Sequence, residues 1–198
     1  MKVKSHFLAL LILAFLQAGV FCQENYILYI CDATNDSGFT EILEDAGYNV
    51  IRKVEEYRGI LSQEELDNAN NADLIIMARN CFSGEYGGTE ELASQWNSIE
   101  TPILCLSVFI TRDHRWQWFS SSDVFCEGEF TIKVPASARN HSIFEGIETA
   151  GTFDIYTGIG ADLINETPPG NARVLAYNSD ESRIYIAEWS EGIPFYEG

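Results

Sequence analysis

Two groups of residues in this 198-residue chain could do chemistry. The first is Arg112-Asp113-His114-Arg115-Trp116-Gln117-Trp118-Phe119. It gathers two Arg, one His and two Trp in a chain with 30 Asp+Glu against 12 Lys+Arg. Trp and Arg anchor binding surfaces, and indole faces are flat apolar platforms with a polar edge. Arg112, Arg115, Trp116 and Trp118 are therefore candidate ligand-binding residues for a small molecule or a carbohydrate. The competing reading is a helix or loop whose Trp side chains pack on a sheet. Ser107 or Cys105 as nucleophile with His114 as base would make a hydrolase. Against this, Asp113 and His114 are sequence neighbours, which seldom form the orienting hydrogen bond of a triad.

The second group depends on the fold. Tyr26 to Cys31, Asp73 to Ala78 and Pro102 to Ile110 are continuous apolar runs. Such runs mark strands covered on both faces, as in a parallel sheet. Tyr48 to Val54 is a weaker strand. In open α/β sheets ligands bind at the carboxyl ends of the strands. That edge receives Cys31 and Asp32 from the first strand, Arg79, Asn80 and Cys81 from the third, and Ser107 from the fourth. Asp32, Arg79 and Asn80 together would hold a polar ligand; alternatively Asp32 and Arg79 simply pair, or cap the adjoining helices. Cys31 and Cys81 on neighbouring strands would permit a disulfide of demanding geometry, whereas Cys105, inside an apolar run, reads as a buried free thiol.

Helices separate these strands. Phe39, Ile42, Leu43 and Ala46 recur at helical spacing, with Gly47 as a C-cap. Ser62 and Glu65 form a capping box, with Leu61 and Leu66 as its hydrophobic staple. A third helix starts near Thr89 and puts Leu92, Ala93, Trp96 and Ile99 on one side. Between these elements, Phe82 to Gly88 holds Gly84, Gly87 and Gly88 before a helix, a phosphate-cradle pattern. Glu85, Glu90 and Glu91 would repel an anion there, and Walker spacing is absent, so a flexible connecting loop is expected. No spacing matches a zinc site or an EF-hand, and neither metal nor cofactor is expected. His141 is expected to be structural, its ring bonded to backbone.

The back half differs. Phe130 to Val134, Thr152 to Tyr156, Ala172 to Tyr177 and Arg183 to Trp189 read as strands without helices between them. Asn178-Ser179-Asp180-Glu181-Ser182 turns the last two into a hairpin. Glu191 to Gly198 reads as a turn leading toward another strand, so the domain is expected to continue.

Lys2 and Lys4, the apolar run Phe7 to Leu16 and the short tail ending at Cys22 have the order of a secretory signal peptide. The run is shorter than the roughly 20 residues a membrane span needs. Residues 1–22 are thus expected to be removed, leaving a domain over residues 23–198 that is secreted or periplasmic, with no membrane attachment after cleavage. Loss of the two Lys takes the formal charge from −18 to −20. Nucleic acid is excluded as a partner, because phosphate neutralisation needs a basic face. Asn35, Asn140 and Asn165 begin glycosylation-type triplets.

The order of elements resembles the class I glutamine-amidotransferase-like superfamily, closest to its ThuA-like (trehalose-utilisation-like) and related secreted branches. Ile27 to Asp32, Ala72-Asp73-Leu74-Ile75-Ile76-Met77 and Asn140-His141-Ser142-Ile143-Phe144-Glu145-Gly146-Ile147 carry the resemblance, over roughly residues 25–190. It implies an α/β, flavodoxin-like three-layer sandwich with a mostly parallel sheet, extended here by a C-terminal β-hairpin. The catalytic members have a Cys on a glycine-flanked turn after the fourth strand. Here Ser107 falls at that position, followed by Val108 and Phe109, and no late His-x-Glu pair exists. The resemblance therefore implies a non-amidase, ligand-binding or accessory domain that is carbohydrate-related. A hydrolase using Ser107 or Cys105, and a structural module of a larger secreted protein, are the alternatives.

Overall fold

The computed structural model describes residues 25–33, 37–127, 130–156, 161–164 and 170–194. The expected signal peptide, the Cys126 side chain, Asn35 and Asn165 lie outside what is described. Four strands form a parallel sheet: β1 (Ile27–Cys31), β2 (Val50–Val54), β3 (Leu74–Met77) and β4 (Ile103–Cys105), in the order β2-β1-β3-β4. Every residue of β1 is buried, as its unbroken apolar run requires of a central strand. The fourth apolar run does not stay in the sheet to Ile110. The strand ends at Cys105, and Val108–Ile110 winds into a 3-10 turn.

Between these strands lie α1 (Gly38–Asp45), α2 (Gln63–Asn70), α3 (Ser83–Gly87) and α4 (Glu90–Asn97). Ser62 caps α2 and Glu65 returns the bond to the Ser62 N–H, completing the capping box. Thr89 caps α4, which buries Leu92, Ala93 and Trp96. Helix α1 stops at Gly47, whose φ of 91° only glycine adopts freely. Gly47 N–H and Tyr48 N–H reach back to Glu44 and Leu43 carbonyls, the paired bonds of a Schellman end. The expected apolar stripe of α1 is only partly used: Thr40 is buried and Leu43 packs on the core, whereas Phe39 and Ile42 face solvent.

The glycine segment before α4 is a helix rather than a flexible loop. Helix α3 buries Tyr86 and Gly87. A Cβ at Gly87 would lie 3.1 Å from the Trp116 ring, and one at Gly88 would lie 2.2 Å from the Gly84 carbonyl. These glycines serve close packing.

The back half forms a separate antiparallel sheet, so the expectation of one mostly parallel sheet is corrected. Its strands are β5 (Val124–Glu127), β6 (Phe130–Lys133), β7 (Thr152–Tyr156), β8 (Ala161–Ile164), β9 (Arg173–Asn178) and β10 (Ile184–Glu188), ordered β5-β8-β10-β9-β6-β7. Strands β9 and β10 pair antiparallel as the expected hairpin. Asn178 holds its turn, accepting from Arg183 N–H and donating to Ser182 Oγ. Ile164, Val174 and Ile184 join the core of the parallel sheet, while Ile132, Val134, Phe144 and Leu175 build a smaller one. His141 is structural: its Nδ1 accepts from Ile143 N–H, so Nε2 carries the proton and faces Glu188 at 3.1 Å.

Candidate functional site

The carboxyl edge of the parallel sheet is organised by Asp32, immediately after β1. Its Oδ1 accepts from the Tyr86 hydroxyl at 2.5 Å and from Arg58 Nε at 3.1 Å. Its Oδ2 accepts from Phe82 N–H at 2.7 Å, at the start of α3. Asn80 Oδ1 accepts from Asp32 N–H at 3.1 Å. The carboxylate side chain is only 9% exposed, so its three donors replace water. Its ionic partner is Arg58, on the loop after β2, and not Arg79. Arg79 is exposed and forms no ion pair among the described residues. Asp32 thus joins β1, the Arg58 loop and α3, and its oxygens are engaged rather than open to a ligand.

Burial, followed by the bond to Asp32, pushes the Tyr86 phenol well above its ordinary value. Cys81 Sγ donates to the Ile30 carbonyl at 3.3 Å. Burial, then the charge of Asp32, pushes this thiol up as well. Cys105 Sγ donates to the Ser107 carbonyl at 3.3 Å, and burial pushes it up to about 12. Cys31, Cys81 and Cys105 are all free thiols, so Cys31 and Cys81 do not form the disulfide considered above. Cys105 is half-buried rather than fully enclosed.

Nucleophilic chemistry finds no support in this arrangement. Ser107 is 2% exposed and its hydroxyl donates to the Cys81 carbonyl at 3.1 Å. Its backbone (φ −100°, ψ 94°) lies in the ordinary extended region, unlike a strained nucleophile elbow. His114 is exposed and turned to its neighbour, with Nδ1 2.5 Å from Asp113 Oδ1. No His114 hydrogen bond reaches Ser107 or Cys105 among the described residues. Thiols held protonated are also poor nucleophiles. At pH 8, iodoacetamide should alkylate native Cys105 about 1,000-fold more slowly than the same thiol in urea, since thiolate is the reacting form. Mass spectrometry of the labelled peptides measures this; equal rates would refute the shift. The same shift lowers stability in alkali. The native thiol keeps its proton longer than the unfolded one, so stability falls as pH rises from 9.0 toward about 12.

The Arg-Trp stretch does not form a ligand platform. Trp116 is fully buried and Trp118 is 9% exposed, which removes them as sugar-stacking residues. They belong to a row of rings in which Trp96 lies 5.1 Å from Trp116, Trp116 5.2 Å from Trp118, and Trp118 5.6 Å from Trp189. Trp116 Nε1 donates to the Tyr86 carbonyl at 2.8 Å, and Trp118 Nε1 to Asn97 Oδ1 at 3.0 Å. The Trp residues therefore seat α3 and α4 beneath the candidate edge.

Arg115 Nη1 donates to the His114 carbonyl at 3.0 Å. Arg112 is the member of the stretch that reaches the edge. Its Nε donates to the Phe109 carbonyl at 2.9 Å and its Nη2 to Ser83 Oγ at 3.3 Å. Two aromatic rings at this edge remain in water: Phe82 is 67% and Phe109 38% exposed. Sequence reasoning missed Arg58, Tyr86, Phe82 and Phe109. The Asn80-Cys81-Phe82-Ser83 turn following a buried strand was the available signal for Phe82, because an apolar residue there enters no strand or helix stripe.

Among the described residues, no three His, Cys, Asp or Glu side chains converge as metal ligands would. No helix among them is long and apolar enough to cross a membrane. No protein-family profile, curated protein or solved structure matches the chain.

Proposed function

We propose that the chain is an exported, non-amidase ligand-binding or accessory domain of the class I glutamine-amidotransferase-like kind, built on a flavodoxin-like sheet. The β2-β1-β3-β4 parallel order supports the fold, since it equals the first four strands of the flavodoxin-like order. The single observation that carries the non-catalytic reading is the state of the candidate nucleophiles. Ser107 is buried on a carbonyl, and Cys81 and Cys105 are held as thiols. The ligand edge is then the carboxyl end of the sheet, with Phe82, Phe109, Arg79 and Arg112 as its accessible groups. The carbohydrate class follows from the resemblance and from the signal-peptide pattern.

A thermal-shift screen of mono- and oligosaccharides on the purified protein tests this. Ligand at about 100 times its Kd stabilises by about 2.7 kcal/mol, a rise of several degrees at this size. At least one sugar should produce it. Absence of any shift, or turnover of glutamine or a nitrophenyl ester, would overturn the proposal.

A further inference from the structure

The acids of this chain outnumber its bases, 30 to 12. Lys53, Arg58, Lys133 and Arg173 each hold a carboxylate. Arg79 and Arg112, at the carboxyl edge of the parallel sheet, hold none among the described residues. For Arg112 the nearest acid in sequence is Asp113, which is engaged by His114 at 2.5 Å. Its guanidinium is instead fixed by neutral groups, the Phe109 carbonyl and the Ser83 hydroxyl, and lies 5.2 Å from the Phe109 ring centroid.

Those two bonds leave three of the five guanidinium N–H donors open. Fixing the planar fork in advance lowers the entropy lost when it takes a second plane of acceptors. Beside it, Phe109 is half in water and Phe82 mostly so. The Phe82 ring lies against Gly84, where a Cβ would come within 3.2 Å of it. The edge thus offers a preformed cationic fork flanked by apolar ring faces. Burial, then the neighbouring Arg115, lowers the Arg112 pKa from its ordinary value, a strain that a bound anion relieves.

We infer that Arg112 and Arg79 bind the carboxylate of a ring-bearing acid whose apolar face packs on Phe109 and Phe82, a hexuronate being the sugar of this class. The inference rests on the ligand-binding reading above and specifies its chemistry. A carboxylate matches the guanidinium fork with two parallel bonds. The ring face meets the exposed Phe rings as sugar or aromatic faces do.

The test is calorimetric titration of the full protein at low salt with sodium glucuronate, glucose and sodium benzoate, repeated with Arg79→Gln and Arg112→Gln. Glucuronate should bind at least about tenfold more tightly than glucose, because the charged bidentate contact is the difference between them. Either substitution should weaken it by a similar factor, and high NaCl should weaken it in the wild type. Arg79 is exposed, so its variant keeps the fold if Arg112→Gln does not. Glucose binding as tightly as glucuronate would overturn the carboxylate inference while leaving a neutral-sugar reading intact. Benzoate binding without either sugar would uphold the inference and overturn the carbohydrate class. Binding of no carboxylate, or glucuronate affinity unchanged in Arg79→Gln and in high salt, would overturn it.

Discussion

Replacing Asp32 with Ala is expected to lower the unfolding free energy by about 3–5 kcal/mol, the cost of removing one partner from a buried charged network. The ion pair itself is the smaller part, because Arg58 is about one-third exposed and its charge is screened. The larger part is the Tyr86 hydroxyl and the Phe82 N–H, which both lose their acceptor. An unsatisfied buried donor costs about 1–3 kcal/mol each. At this chain length the melting temperature should fall by about 10 °C. Asp32→Asn keeps the shape and one acceptor, so its loss should be clearly smaller. Urea titration of the three proteins measures the series; a change under about 1 kcal/mol for Asp32→Ala would contradict the role assigned to it.

Trp116→Ala should cost a similar amount, about 3–5 kcal/mol, as large aromatic truncations in cores do. Trp116 is fully buried between Trp96 and Trp118, and its ring lies where a Cβ on Gly87 would meet it at 3.1 Å. Removing the indole leaves a cavity between α3 and α4 and frees the Tyr86 carbonyl. Trp116→Phe should fall in between, keeping an aromatic ring but losing the hydrogen bond. Ligand affinity of the folded Trp116→Phe protein should stay near that of the wild type, since no Trp116 atom is exposed. A near-neutral Trp116→Ala would place this residue outside the core.

The parts of the fold that could be read from sequence were those with local causes. Ser62 and Glu65 are three residues apart and cap α2 by themselves. The apolar run of β1 needs no knowledge of its neighbours to be recognised as doubly covered. Strands β5 and β8 went unread because a four-residue strand draws its definition from a distant partner, here each other. The same limit applied at the site. Asp32 was identified from its position after β1, yet its partner Arg58 lies on a loop that carries no pairing signal. Arg79 was as plausible by type and nearer in topology. The Arg112–Phe119 stretch was legible as unusual, but its composition is the same whether the indoles face water or the core. Only the α3 glycines, small enough to let Trp116 approach, decide that question.

The row of rings has a consequence for how the molecule comes apart. It begins at Tyr57 and Trp96 in the parallel half and ends at Trp189, just past the last antiparallel strand. Each ring touches the next, so neither half can melt while the other keeps its aromatic packing. Residues from both sheets also share one core. Denaturation is therefore cooperative across the two sheets. All four indoles lie along this seam, and the fluorescence of the chain reports its integrity as a single optical readout.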